Sequence, residues 1–85
     1  MTEIPPLTEG KLMSGELTVE YPDHTERVPV FVFGREGDEA AIALQDDHPE
    51  LGEQHSAAWM PCDSVEVFET AELPEAVEPP ENAAV

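Results

Sequence analysis

Seven residues, Arg27-Val28-Pro29-Val30-Phe31-Val32-Phe33, hold the strongest strand signal in the chain. They are dense in β-branched and aromatic side chains, which suit a pleated surface better than a helix. Val28, Val30 and Val32 project to one side and Pro29, Phe31 and Phe33 to the other. Both sides are apolar, so the segment needs cover on each. Pro29 cannot donate a ladder hydrogen bond, which predicts an edge position or a bulge there.

Strand signals recur on either side of it. Gly15 to Tyr21 alternates strictly, with Leu17, Val19 and Tyr21 on one face and Glu16, Thr18 and Glu20 on the other. Pro22-Asp23-His24-Thr25-Glu26 supplies turn chemistry, and Gly34-Arg35-Glu36-Gly37-Asp38 supplies a hairpin with two glycines. Glu39 to Gln45 is ambiguous, because its Ala and Leu residues favour helix. It is short and follows a hairpin, which predicts a strand with Ala40, Ile42 and Leu44 inward. Asp46 to Ser56 is a polar loop that Leu51 pins to the body. Ala57 to Pro61 is a fourth strand, Cys62-Asp63-Ser64 one turn of 3₁₀ helix, and Val65 to Glu69 a last short strand.

The expected class is therefore all-β. Five short strands close together predict a small barrel or a curled meander, since closure removes edges that a tiny flat sheet leaves exposed. The expected core draws on Leu17, Val19, Tyr21, Val28, Val30, Val32, Ile42, Leu44, Trp59, Val65 and Val67, plus whichever of Phe31, Phe33 and Phe68 face in. At about 1.5–3 kcal/mol for each buried side chain, such a core offsets chain entropy with little to spare. Residues 1–10 read as a flexible lead-in from which Ile4 and Leu7 dock, residues 11–70 as the domain, and residues 71–85 as a disordered acidic, proline-rich tail.

The stretch Trp59-Met60-Pro61-Cys62-Asp63-Ser64-Val65 resembles the end of an SH3 domain. In that family an aromatic–apolar–proline segment closes a strand, a 3₁₀ turn follows, and a valine opens the final strand. The order of hairpins before it is compatible as well. The resemblance covers about ten residues and implies a five-stranded SH3-like barrel. Pro61 matches the proline that helps floor the family's ligand groove, but Ser64 stands where a groove tyrosine is usual. The aromatic doublet before the third strand and the aromatic-rich motif near the N-terminus are missing. The resemblance thus implies the barrel and not the binding of proline-rich peptides.

Charge sets the expected partners. Twenty Asp and Glu face three Lys and Arg, a formal net charge of −17. A phosphate backbone and an anionic membrane surface are both disfavoured, because each attracts Lys and Arg. A basic protein surface is favoured, including one that normally holds nucleic acid; a solvated acidic coat serving solubility is the plainer alternative. Cys62 is the single cysteine, which precludes an internal disulfide and points to a reducing cytoplasm. The first residues lack the pattern of a secretory signal, and no stretch approaches the ~18 apolar residues of a membrane span.

Catalytic and metal chemistry find little support. His24, His48, His55 and Cys62 are soft potential ligands, but no close pair fixes half of a zinc site. Cys62 stands among carboxylates, which oppose thiolate formation, so it reads as a half-buried core residue. Carboxylate pairs are expected by chance at this acidity, and Asp46 to Glu53 lacks the ligand spacing of a calcium loop. No glycine-rich phosphate loop is present, and Lys11, Arg27 and Arg35 are too few for a basic patch. No cofactor is implied. Trp59 is either a core residue or a partner anchor, with His55 beside it.

The expectation is a non-enzymatic acidic protein, monomeric or a small homo-oligomer, that docks on a basic surface. In its sharper form it is a nucleic-acid mimic of the kind small phage-encoded inhibitors use, with carboxylates on strand faces (Glu16, Glu20; Glu66, Glu69) and in loops imitating phosphates. The contact residues expected are Glu16, Glu20, Glu36, Asp38, Asp46, Asp47, Glu50, Glu53 and Trp59. The alternative is a structural or accessory subunit, for example of a virion, whose strand Val28–Phe33 packs on a neighbour. A small enzyme or metal protein is a third reading.

Overall fold

The computed structural model describes residues 4–6 and 12–71. Residues 72–85 of the expected acidic tail, and residues 1–3 and 7–10 of the lead-in with Leu7 among them, lie outside the described residues. Five antiparallel strands follow in order: β1 (Met13–Glu20), β2 (Thr25–Glu36), β3 (Glu39–Leu44), β4 (Ala57–Pro61) and β5 (Val65–Thr70). A 3₁₀ turn, Cys62–Ser64, separates β4 from β5. They form one sheet in the order β4-β3-β2-β1-β5. That order, with the 3₁₀ turn before the last strand, is consistent with the SH3-like arrangement.

β2 is the backbone of the fold. Its twelve residues exceed the stretch the sequence marked by two at the start and three at the end. Its first part pairs with β1 (Glu20↔Thr25 to Met13↔Val32) and its last part with β3 (Val30↔Leu44 to Glu36↔Glu39). The register slips between Val32 and Gly34, and Gly34 has φ 147°, a backbone region that suits glycine alone. A bulge of this kind bends its strand, so one strand serves two halves of a curled sheet.

Pro29 departs from expectation. It lies on this central strand, opposite Glu16, and not at an edge or in the bulge. Its carbonyl accepts the Gln45 N–H at 3.2 Å, one residue past the end of β3. The donor that proline lacks therefore falls where that ladder is already ending.

The concave core gathers Leu17, Val28, Val30, Val32, Ala40, Ile42, Leu44, Val65 and Val67, with Ile4 docked against them. Val30 and Val32 are 0 % exposed. Val19, Leu51, Met60 and Cys62 pack around this core, so Leu51 pins its loop as expected. The second face of β2 and β3 carries its own cluster, in which Phe31, Phe33, Ala41, Ala43, Leu12 and Trp59 meet. Trp59 thus belongs to the outer cluster and not to the main core. β3 is buried at five consecutive positions, Ala40 to Leu44; alanine on its outer side leaves room for the aromatic rings. Its neighbours on both sides override the helical preference of Ala and Leu.

The N-terminal segment is tied to the far end of β2. Arg35 N–H donates to the Pro5 carbonyl at 3.0 Å, and Arg35 Nε donates to the Ile4 carbonyl at 3.0 Å. Among the described residues no helix is long and apolar enough to cross a membrane.

Candidate functional site

The expected contact residues do not form one patch. Glu16 and Glu20 lie on the outer face of β1, Glu36 and Asp38 at the β2–β3 hairpin, and Asp46, Asp47, Glu50 and Glu53 in the loop before β4. Trp59 is half-buried on the outer aromatic cluster, and the His55 ring lies 6.3 Å from Phe31 in the same region.

Glu20 of the first group and Asp38 of the second lie beside the 3₁₀ turn. On β1, Glu16, Thr18 and Glu20 share a face, and the two carboxylates stand four residues apart, about 13 Å along the strand. Glu66 of β5 lies directly opposite Glu16. Asp63 and Ser64 line a shallow groove with Thr18 and Glu66 on one side and with Thr18 and Glu20 on the other. The Cys62 N–H donates to the Asp38 carbonyl at 2.8 Å, which seats the hairpin beside the turn. Burial pushes the Cys62 thiol up; Arg35 works against that shift, while Asp38, Asp63 and Glu39 reinforce it. Such a thiol is a packing group and not a nucleophile. The result is an acid- and hydroxyl-lined strip running from the hairpin over the turn to the β1–β5 face.

Among the described residues, Arg27 places a strong base on the β1 part of the strip. Arg27 lies across from Thr18, and its guanidinium is 3.6 Å from Glu16 Oε1. Both side chains are substantially exposed, so the pair contributes little stability. Asp63 was absent from the expected contacts, while Glu66 was expected as a strand-face carboxylate. The alternation of Val65 to Glu69 marks Glu66 as outward, whereas nothing local in the sequence places Asp63 beside β1.

The loop group is organised differently. Asp47 Oδ1 accepts the Gln54 N–H at 2.7 Å, and Gln54 Nε2 donates to the Gln45 carbonyl at 3.0 Å. His48 holds the loop. Its Nδ1 accepts the Glu50 and Leu51 N–H groups at 3.1 Å each, and its Nε2 lies 3.0 Å from Glu26 Oε1. Two donors into Nδ1 require that nitrogen to be unprotonated, which leaves the proton on Nε2 to donate to Glu26. His48 is therefore a fixed structural residue, with a side chain 9 % exposed, and not a metal ligand candidate free in its loop.

Beside it, the Tyr21 hydroxyl donates to Glu26 Oε1 at 3.4 Å and its ring stacks on His24, centroids 4.6 Å apart. The neighbouring Glu50 carboxylate, with burial and Glu26, pushes the Tyr21 pKa up to about 12. The hydrogen bond from His48 holds the Glu26 carboxyl below its usual range. Asp47, Glu50 and Glu26 thus have structural employment in the loop, whereas on the strip Glu16 has its exposed pair with Arg27.

Among the described residues no group of three or more His, Cys, Asp or Glu side chains is placed to hold a metal ion. No protein-family model, curated protein or solved structure matches this chain.

Proposed function

We propose that this chain is a non-enzymatic acidic interaction module, and that the strip formed by Glu16, Glu20, Asp38, Asp63 and Glu66 is its contact surface for a basic protein. The supporting observation is the Glu16–Glu66 juxtaposition. Like charges directly opposite on neighbouring strands destabilise a sheet. Arg27 offsets this in part, and Glu20 and Asp63 add to it along the groove. A coat serving solubility alone has no need to gather its charges where they oppose the fold. A cationic partner converts that repulsion into binding energy and accelerates encounter. The sharper form is mimicry of nucleic acid, in which the strip occupies a channel built for phosphates.

The test is capture of a purified nucleic-acid-binding protein, or of one identified from lysate, on the immobilised chain at low salt. Release is expected at about 0.5 M salt, where charge interactions are screened within a few ångströms, and duplex DNA is expected to compete. Failure to retain any basic protein at low salt refutes the reading. The subunit alternative draws less support, because the outer face of β2 is covered within the chain by Leu12 and Trp59.

A further inference from the structure

We infer that Phe68 is the apolar anchor of the same contact surface, and that the segment it receives is an extended stretch of the partner carrying Lys or Arg on both sides of an aliphatic residue. This rests on the proposed acidic docking role and names the chemistry of the partner segment.

Three observations carry it. Phe68 is 51 % exposed and is the exposed large apolar side chain among the described residues. It also stands at a break in the β1–β5 ladder. Gly15 pairs with Val67 and Ser14 with Glu69, so Phe68 is the extra residue of a bulge. Bulges re-aim side chains, and this one leaves both Phe68 and Glu69 exposed while Val67 stays buried. Finally, Phe68 is flanked by Glu66 and Glu69 in sequence, with Glu16 opposite Glu66.

An apolar centre with a charged rim is the anatomy of a small protein interface, and aromatic residues dominate the energetics of such centres. The carboxylates select the occupant. A second copy would bring its own Glu66 and Glu69 against these, under a net charge of −17 on each chain. A cationic segment meets the rim with opposite charge, and its aliphatic residue covers the ring.

The experiment uses the full chain and two capped pentapeptides, one of five lysines and one with leucine in place of the central lysine. Binding is followed by NMR titration at low salt. The leucine peptide is expected to bind about fivefold more tightly, as burial of one aliphatic group allows. The largest shifts are expected over residues 66–70. Phe68→Ser should abolish the advantage and Phe68→Tyr should keep it, and since the side chain is exposed both variants keep the fold. Glu66→Gln with Glu69→Gln should weaken both peptides. Equal affinity for the two peptides, or an advantage that survives Phe68→Ser, overturns the anchor while leaving the acidic docking role intact. If neither peptide binds, both fall. A dimer dispersed by Phe68→Ser would identify a second copy as the occupant and overturn the assignment of a cationic segment.

Discussion

His48 Nε2 lies 3.0 Å from Glu26 Oε1 across twenty-two residues of sequence, and the other ring nitrogen takes two backbone N–H groups of its own loop. One side chain thus ties the loop before β4 to the start of β2.

His48→Ala removes three hydrogen bonds and unpins the loop around Leu51. The expected cost is about 1–3 kcal/mol, since three hydrogen bonds of a part-exposed loop are lost at roughly 0.5–1.5 kcal/mol each and water replaces some of them. For a domain of this size that lowers the thermal midpoint by roughly 4–8 °C for each kcal/mol. Calorimetry checks it, and an unchanged midpoint would show that the loop holds without the ring.

Tyr21 gives a pH signature. Its folded pKa is raised to about 12 by Glu50, burial and Glu26. A raised pKa contributes stability that is complete below the unfolded value near 10 and is lost as pH climbs through the folded one. Absorbance titration of the phenolate should therefore find a midpoint near 12, falling toward 10 in Glu50→Gln. Glu26 has the opposite sign. Its lowered pKa stabilises above the ordinary carboxylate value and ceases to do so as the solution is acidified through the depressed one. The acid limb of a stability–pH curve should be flatter in Glu26→Gln.

Gly15→Ala places a methyl group against the Glu66 backbone carbonyl, which cannot swing away. About 1–3 kcal/mol is expected from overpacking, with β5 the first strand to loosen. Gly37→Ala is the control. No atom lies near its Cβ, but its φ of +63° makes alanine strained, for about 1–2 kcal/mol. Hydrogen exchange separates them: β5 amides should lose protection in the first variant and keep it in the second.

Salt should stabilise the native protein. With a net charge of −17, self-repulsion opposes compaction, and screening relieves it. A thermal midpoint that rises between low salt and about 0.5 M sodium chloride is expected; a fall would mean that ion pairs such as Arg27–Glu16 outweigh the repulsion.

Much of the fold was legible because alternation is a local signal. Leu17, Val28, Val30, Val32, Val65 and Val67 fall on the concave side that their spacing assigned, and the 3₁₀ turn lies at Cys62–Ser64 as expected. β3 was legible from its length and the preceding hairpin, against the propensity of its own residues. The outer aromatic cluster was half legible: the doubly apolar β2 demanded cover, but nothing local said that Trp59 supplies it. Asp63 beside Thr18, His48 on Glu26 and Pro29 in a central strand were not legible, since each depends on a partner brought close only by the chain's long-range path. The acidic residues were countable from the start, yet which of them share a surface follows from register alone.

The strand order has a temporal side. β1 is translated first but acquires β5 as its second neighbour only after β2, β3 and β4 have been made. At ordinary ribosomal speeds of ~5–20 residues per second, its free rim waits some seconds for the last strand to emerge. A nascent chain with an open rim is vulnerable to pairing with the wrong strand. Glu16 and Glu20 stand beside that rim throughout the wait, so carboxylates that strain the finished sheet can protect the unfinished one.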